Sequence, residues 1–298
     1  MTKRSVEFAG DGVKLVGDLY LPAGPGPHPA VVLTGPFSAV KEQVTGTYAE
    51  QFAARGMAAL AFNHRGWGGS GGRPRCHEDP AAKAADLRTA VGFLTAAPEV
   101  DADRIAVVGI CLGAVYATSF AAFDPRAKAL VLIGGSYNDP VVLRERFGAA
   151  GYDGLMAEFA VIAQREFETG EVEYWPAANP DGMPAGMPGP EPWSYYGTAR
   201  GARPSWENRC TALSVMTELT VTATPALPML TGTPLLVVHG RGDAAVPVAD
   251  AERTVAAAGG PAELVLVDAD DHVGLYDRPD LVAAAADAAA AWFRRHLG

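Results

Sequence analysis

The chain has 298 residues, 49% hydrophobic and 19% charged, with a formal net charge of −10 at pH 7. That length supports an ample buried core at the size where a single α/β domain still holds everything, and the acidic balance argues against nucleic acid or an anionic membrane as partner. The opening MTKRSVEFAGDGVKL carries no apolar leader, no apolar run approaches a membrane span, and the three cysteines cannot all pair or reach metal-ligand spacing, so the expected compartment is a reducing cytoplasm.

In chain order, Val6 to Phe8 and Val13 to Leu21 alternate apolar and polar residues around Asp11-Gly12, which predicts an antiparallel hairpin. A Pro-rich stretch leads into a short apolar strand, Ala30 to Leu33. It exits through Thr34-Gly35-Pro36-Phe37-Ser38 into a helix over about Thr47 to Arg55. Met57 to Phe62 is the next strand and empties into a glycine-dense loop, Asn63 to Gly72. That loop has neither G-x-G-x-x-G spacing on a helix nor a Gly-Lys-Ser/Thr, so no nucleotide or other cofactor site is expected. Asp79-Pro80 opens a helix through about Leu94, with proline just inside its start.

Ile105 to Val108 then reads as a buried strand and Leu112 onward as a helix, which puts Cys111 at the junction inside Gly109-Ile110-Cys111-Leu112-Gly113. Small residues two positions to either side permit a tight turn that pushes the middle side chain outward. The free N–H groups of the following helix favour a thiolate there. The bland alternative is a buried structural cysteine followed by a glycine turn. After strand Ala129 to Ile133 the rhythm changes over Gly134 to Leu230. Helical spacing at Val141 to Phe147 and Leu155 to Phe167 gives way to an irregular stretch rich in Pro, Gly and aromatics, and Val215 to Thr224 has no clear assignment.

This segment is expected to be an insertion that caps the sheet, dividing the chain into core 1–136, cap 137–230 and core 231–298. Its Trp175, Trp193, Tyr195, Tyr196 and Trp206 either line an apolar substrate pocket or pack the cap's own core, and a mixture is expected. The sheet resumes at Pro234 to Val238, followed by the loop His239-Gly240-Arg241-Gly242-Asp243 and a helix over Val248 to Ala258. Strand Glu263 to Val267 then leads through Asp268-Ala269-Asp270-Asp271 to His272, and Asp280 to Leu297 is the closing helix. Strand–helix alternation with strands apolar throughout predicts a mostly parallel sheet covered on both faces, an α/β fold. Cys111, Asp243 and His272 each follow a strand end, and a parallel sheet gathers those ends on one edge. Together they would supply a polarizable nucleophile, an imidazole to take and return its proton, and a carboxylate that fixes the imidazole tautomer.

With those motifs in view, the chain resembles the α/β-hydrolase superfamily, and within it the dienelactone-hydrolase-like or polyketide-transferase-like group. The resemblance covers nearly the whole length. Its most particular parts are Gly35-Pro36-Phe37-Ser38 with Val40-Lys41-Glu42-Gln43, Arg65 to Gly72, the Cys111 elbow, Asp124-Pro125-Arg126, and His239-Gly240 with Asp243 and Pro247. The order nucleophile, acid, histidine matches, and many members of that group carry cysteine at the elbow. Ala114 departs from the pattern, where a second glycine is expected. The resemblance implies an oxyanion site formed by the N–H groups of Phe37 and Leu112, and Ser38 is either a substrate donor or a turn-stabilising serine.

Asp139 competes with Asp243 for the role of acid. Arg65 is expected to brace its loop through backbone carbonyls, and His64 and His239 are read as structural; no metal site is expected. Asp268, Asp270 and Asp271 read as turn and surface charges, and Cys76 and Cys210 as bland. The functional expectation is hydrolysis of an ester, thioester or lactone of a fairly apolar small molecule through an S-acyl cysteine. Acyl transfer or cyclisation by the same trio, and a non-catalytic binding protein, stay open. The expected partner is a small-molecule acyl substrate, and a homodimer built partly through the cap is the default assembly.

Overall fold

The computed structural model describes residues 1–298. Its centre is an eight-stranded sheet in the order β1-β2-β4-β3-β5-β6-β11-β12. These strands are β1 (Thr2–Gly10), β2 (Val13–Leu21), β3 (His28–Thr34), β4 (Ala58–Asn63), β5 (Val100–Ile110), β6 (Ala129–Ile133), β11 (Leu235–Gly240) and β12 (Ala262–Val267). Only β2 runs against its neighbours, pairing antiparallel with both β1 and β4; from β4 to β12 every pairing is parallel. The expected hairpin turns at Asp11-Gly12, both with positive φ (50° and 72°), the geometry that suits a two-residue connection to strand twist.

The inner strands β4, β6 and β11 are buried at every residue, which explains why their sequences are continuously apolar. Within them the side chains still alternate. Val32, Val107, Leu130 and Val237 join one core, while Val31, Val108, Val131 and Val238 join the other. The first core is closed by α2 (Pro80–Ala96) and α3 (Gly113–Ala121), the second by α1 (Val44–Ala54) and α10 (Pro279–His296). Helix α2 begins as its sequence predicts, with the Asp79 side chain accepting the Ala82 N–H at 3.0 Å and Pro80 in the first turn. Strand β5 starts earlier than its apolar run suggests. Val100 to Arg104 is a partly exposed lead-in that pairs with β3 across an irregularity between His28 and Ala30.

Between β6 and β11 the chain adds no strand to the main sheet. It forms α4 (Pro140–Phe147), α5 (Ala149–Thr169), α6 (Pro190–Tyr196) and α7 (Ala212–Thr220). Four two-residue strands, β7 (Tyr174–Trp175), β8 (Ala178–Asn179), β9 (Met187–Pro188) and β10 (Cys210–Thr211), pair as two small ribbons. Of the unassigned stretch Val215 to Thr224, the part up to Thr220 is the body of α7, started by Thr211, whose hydroxyl accepts the Ser214 N–H at 3.2 Å. After β11 come α8 (Val248–Ala257) and, beyond β12, the short α9 (Gly274–Asp277). No helix is long and apolar enough to cross a membrane.

Candidate active site

Strand β5 ends at Ile110, and Cys111 follows it with φ 54°, a left-handed conformation that a side chain adopts only under constraint from its surroundings. The constraint comes from close approach of backbones. A Cβ on Gly109 would stand 2.6 Å from the Gly113 carbonyl oxygen, and one on Gly113 would run into the Thr34 carbonyl at the end of β3. The two glycines flanking the elbow are there because nothing larger fits, whereas Ala114 sits fully buried without displacing the turn. Strands β11 and β12 end nearby on the same sheet edge and deliver Asp243 and His272.

Asp243 Oδ2 lies 2.7 Å from His272 Nδ1, and its Oδ1 accepts the Val246 N–H at 2.8 Å. Asp139, the competing acid, is instead the N-cap of α4, accepting the Val141 N–H at 2.9 Å. Burial would raise the Asp243 carboxyl, but the His272 imidazole and the Val246 N–H outweigh it and hold the group below the usual carboxylate range. Cys111 follows the same logic. Burial alone would push its thiol up; the adjoining His272 ring, the Tyr276 hydroxyl and the Leu112 N–H draw it down. Burial disfavours the charged imidazole too, yet Cys111 and Asp243 on its two sides raise His272 well above its ordinary value. The arrangement therefore favours a thiolate–imidazolium pair.

The remaining expected residues fall into two groups. Phe37 and Leu112 are both buried, and neither backbone N–H has a backbone partner. Tyr196 lines the cavity above Cys111 and donates its hydroxyl to the Phe37 carbonyl at 3.4 Å. The other proposed substrate contacts do not reach that cavity. Trp175 packs on Phe159 with its N–H on Glu173 (3.0 Å), Trp193 folds over Gly197, and Tyr195 stacks edge-on against Tyr196 and Tyr276. Trp206 stacks on Tyr196, and its N–H donates to the Ser38 hydroxyl at 3.4 Å, so Ser38 and Trp206 satisfy each other under the insertion. Their aromatic surface goes into fixing the insertion on the sheet edge, because an isolated loop-rich segment needs its own small core.

Several residues that matter here carry no recognisable sequence signal. Tyr276, a turn beyond His272, adjoins both the sulfur and the His272 ring. Glu191, at the start of α6, accepts the His272 backbone N–H at 2.6 Å. Beneath the Phe37-Ser38 loop, Glu78 is fully buried in an ion pair with Lys83, accepts the Tyr116 hydroxyl at 2.5 Å and takes the Ser38 N–H at 3.4 Å. Lys41, part of the motif after that loop, reaches back to Asp18 on β2 at 2.7 Å.

The bracing of Arg65 differs from expectation. Its guanidinium and N–H grip the Asp86 carboxylate, both at 2.8 Å, instead of backbone carbonyls. His64 is held between Thr34 (2.9 Å) and Asp86 (3.4 Å), and the His239 Nε2 is 2.8 Å from the Val246 carbonyl oxygen, so both have structural partners. Among the acidic turn residues, Asp268 pairs with Arg241 at 3.0 Å, while Asp271 accepts the Gly274 N–H at 2.6 Å. Cys76, Cys111 and Cys210 are all unpaired thiols.

The Cys111–His272 pair opens into a cavity of about 650 Å³ between the sheet edge and the insertion, walled largely by apolar side chains such as Val142, Leu143, Leu155, Met187, Leu219 and Leu227. An eight-stranded sheet with a strained residue after β5, and a carboxylate–imidazole pair at the ends of two neighbouring strands, defines a class of enzyme scaffold. The chain belongs to the alpha/beta hydrolase family, whose model matches residues 35–285. It is 35% identical to the uncharacterized protein PA2218 of Pseudomonas aeruginosa, over 99% of this chain and 81% of that one. The crystal structure of PA2218 superposes with a TM-score of 0.86 over 99% of this chain and 94% of its own, at 31% identity. It is also 34% identical to a thiohydrolase of Eupenicillium brefeldianum, over 71% of this chain and 68% of that one. Identity to polyketide transferase ATR5 of Stachybotrys chlorohalonatus is 40%, over 44% of each chain.

Proposed function

We propose that the protein is a hydrolase that cleaves a thioester, ester or lactone of a fairly apolar acyl group through an S-acyl intermediate on Cys111. The observation that carries this reading is His272, whose Nδ1 is engaged by Asp243 at 2.7 Å while the ring adjoins the Cys111 sulfur at the floor of an apolar cavity. In the first step the Cys111 sulfur attacks the carbonyl carbon. The negative charge that develops on oxygen is received by the Phe37 and Leu112 N–H groups, each worth about 3 kcal/mol when preorganised. His272 holds the thiol proton and passes it to the departing thiol or alcohol. In the second step a water loses its proton to His272 and attacks the thioester; the acid leaves and the proton returns to the sulfur. Asp243 keeps the imidazole in the tautomer both steps require. The residues between β6 and β11 act as the cap that limits water and surrounds the acyl chain.

A second reading, transfer of the same acyl group to an acceptor other than water, is favoured by one observation, the 40% identity to a polyketide transferase. Product analysis separates the two. With an acyl thioester alone, hydrolysis predicts stoichiometric free acid, and formation of product only when an alcohol or amine is added would favour transfer.

A further inference from the structure

The cavity wall contains one acidic side chain without a partner in the protein. Glu218, near the end of α7, is a half-buried residue of the cavity wall whose side chain forms no hydrogen bond or ion pair within the protein. Every other charged group of the wall outside the Cys111–His272 pair is engaged. Arg146 and Arg253 both bind Asp250, Asp139 caps α4, and Glu191 holds the His272 N–H. The position of Glu218 is also fixed. Asn138, itself at φ 50°, accepts the Ser136 hydroxyl at 2.7 Å and donates its amide to the Glu218 carbonyl at 2.7 Å, tying α7 to the loop that leaves β6 beside Cys111. Burial, then the charges of Cys111 and Glu78, push the carboxyl well above its ordinary value, which favours the neutral acid. A neutral carboxyl among apolar walls offers one O–H donor and one carbonyl acceptor with nothing in the protein to satisfy them.

We propose that Glu218 is the group that binds a hydroxyl or ketone oxygen carried on the acyl chain, so that the substrate class is an oxygenated acyl thioester or ester in preference to a plain alkanoyl one. The inference rests on acylation of Cys111. A wall that is otherwise hydrocarbon accepts the chain by its area, and a single donor–acceptor group then distinguishes chains by whether they can satisfy it. Discrimination of this kind is large because the wrong substrate leaves a buried polar group unpaired.

The test uses the N-acetylcysteamine thioester of octanoate and a set of the same thioester carrying one hydroxyl at successive carbons, with kcat/KM as readout and intact mass to record acylation. The expected result is a preference of about tenfold or more for one isomer or two adjacent ones. Glu218→Gln, which keeps a donor and an acceptor, should retain most of that preference, and Glu218→Leu should bring the ratio near one while octanoate still acylates Cys111. A wild-type protein with no preferred isomer, an undiminished preference in Glu218→Leu, or an equal loss on every substrate in both variants would overturn the proposal while leaving Cys111 acylation standing. A wild-type protein that no thioester acylates would remove both readings together.

Discussion

The Glu191 carboxylate accepts the backbone N–H of His272 at 2.6 Å, so the first turn of α6 in the insertion holds the loop that presents the imidazole. The insertion reaches the Phe37-Ser38 loop as well, through the Tyr196 hydroxyl and the Trp206 N–H. The geometry of the site thus depends on contacts from a segment that contributes no strand to the sheet.

Glu191→Ala removes the acceptor and leaves the His272 N–H without a protein partner, a cost of about 1–3 kcal/mol that falls on the placement of the ring. We expect kcat to fall about tenfold or more, with a drop of a few degrees in Tm. Steady-state kinetics paired with a melting curve decide it, and unaltered kcat would show that α6 is not a positioning element.

Asp243→Asn should preserve the fold and lower kcat by roughly a thousandfold or more, since the amide favours the wrong imidazole tautomer. Asp139→Asn should be close to neutral, because asparagine is an equally good N-cap for α4. The comparison under matched melting temperatures assigns the acid; a greater loss in the Asp139 variant would reassign it.

Alkylation of Cys111 by iodoacetamide should have a pH profile set by the lowered thiol and the raised imidazole. A thiolate that persists below the ordinary thiol range of about 8.5 keeps the rate high as pH falls, until protonation of the sulfur at its lowered pKa switches it off. His272→Ala should move the inflection upward. An inflection at the ordinary thiol value in the wild-type protein would contradict the ion pair.

Gly113→Ala forces a methyl against the Thr34 carbonyl and should destabilise the fold by about 1–3 kcal/mol, visible as a drop of several degrees in Tm. Gly232→Ala is the matched control: its added carbon meets nothing within 4 Å, and the melting temperature should hardly move.

The sheet was legible in the sequence because its inner strands are buried on both faces, so β4, β6 and β11 read as uninterrupted apolar runs. The placement of Cys111, Asp243 and His272 was legible for a related reason: each follows a strand, the inner β5 and β11 and the half-exposed edge strand β12, and parallel strands bring their ends to one edge. The insertion was less readable. Its aromatics signal burial but not what they are buried against, and of Trp175, Trp193, Tyr195, Tyr196 and Trp206 only Tyr196 reaches the cavity. Glu78, Glu191 and Glu218 look like any surface acids in the chain. The burial of Glu78, the contact of Glu191 with His272 and the place of Glu218 in the cavity wall come from tertiary packing between segments distant in sequence, which no local period encodes.

Acylation of Cys111 is the step on which the chemistry depends, and intact-protein mass spectrometry after rapid quench with an acyl thioester reads it out. One added acyl mass is expected on the wild-type protein, located to Cys111 by peptide mapping, and it should form more slowly in Asp243→Asn, whose imidazole is in the wrong tautomer for either step. Cys111→Ala should fold normally, as its circular dichroism and Tm would report, and should carry no acyl group and show no turnover. Turnover at near wild-type rate in Cys111→Ala, or an acyl group located elsewhere on the chain, would contradict the account.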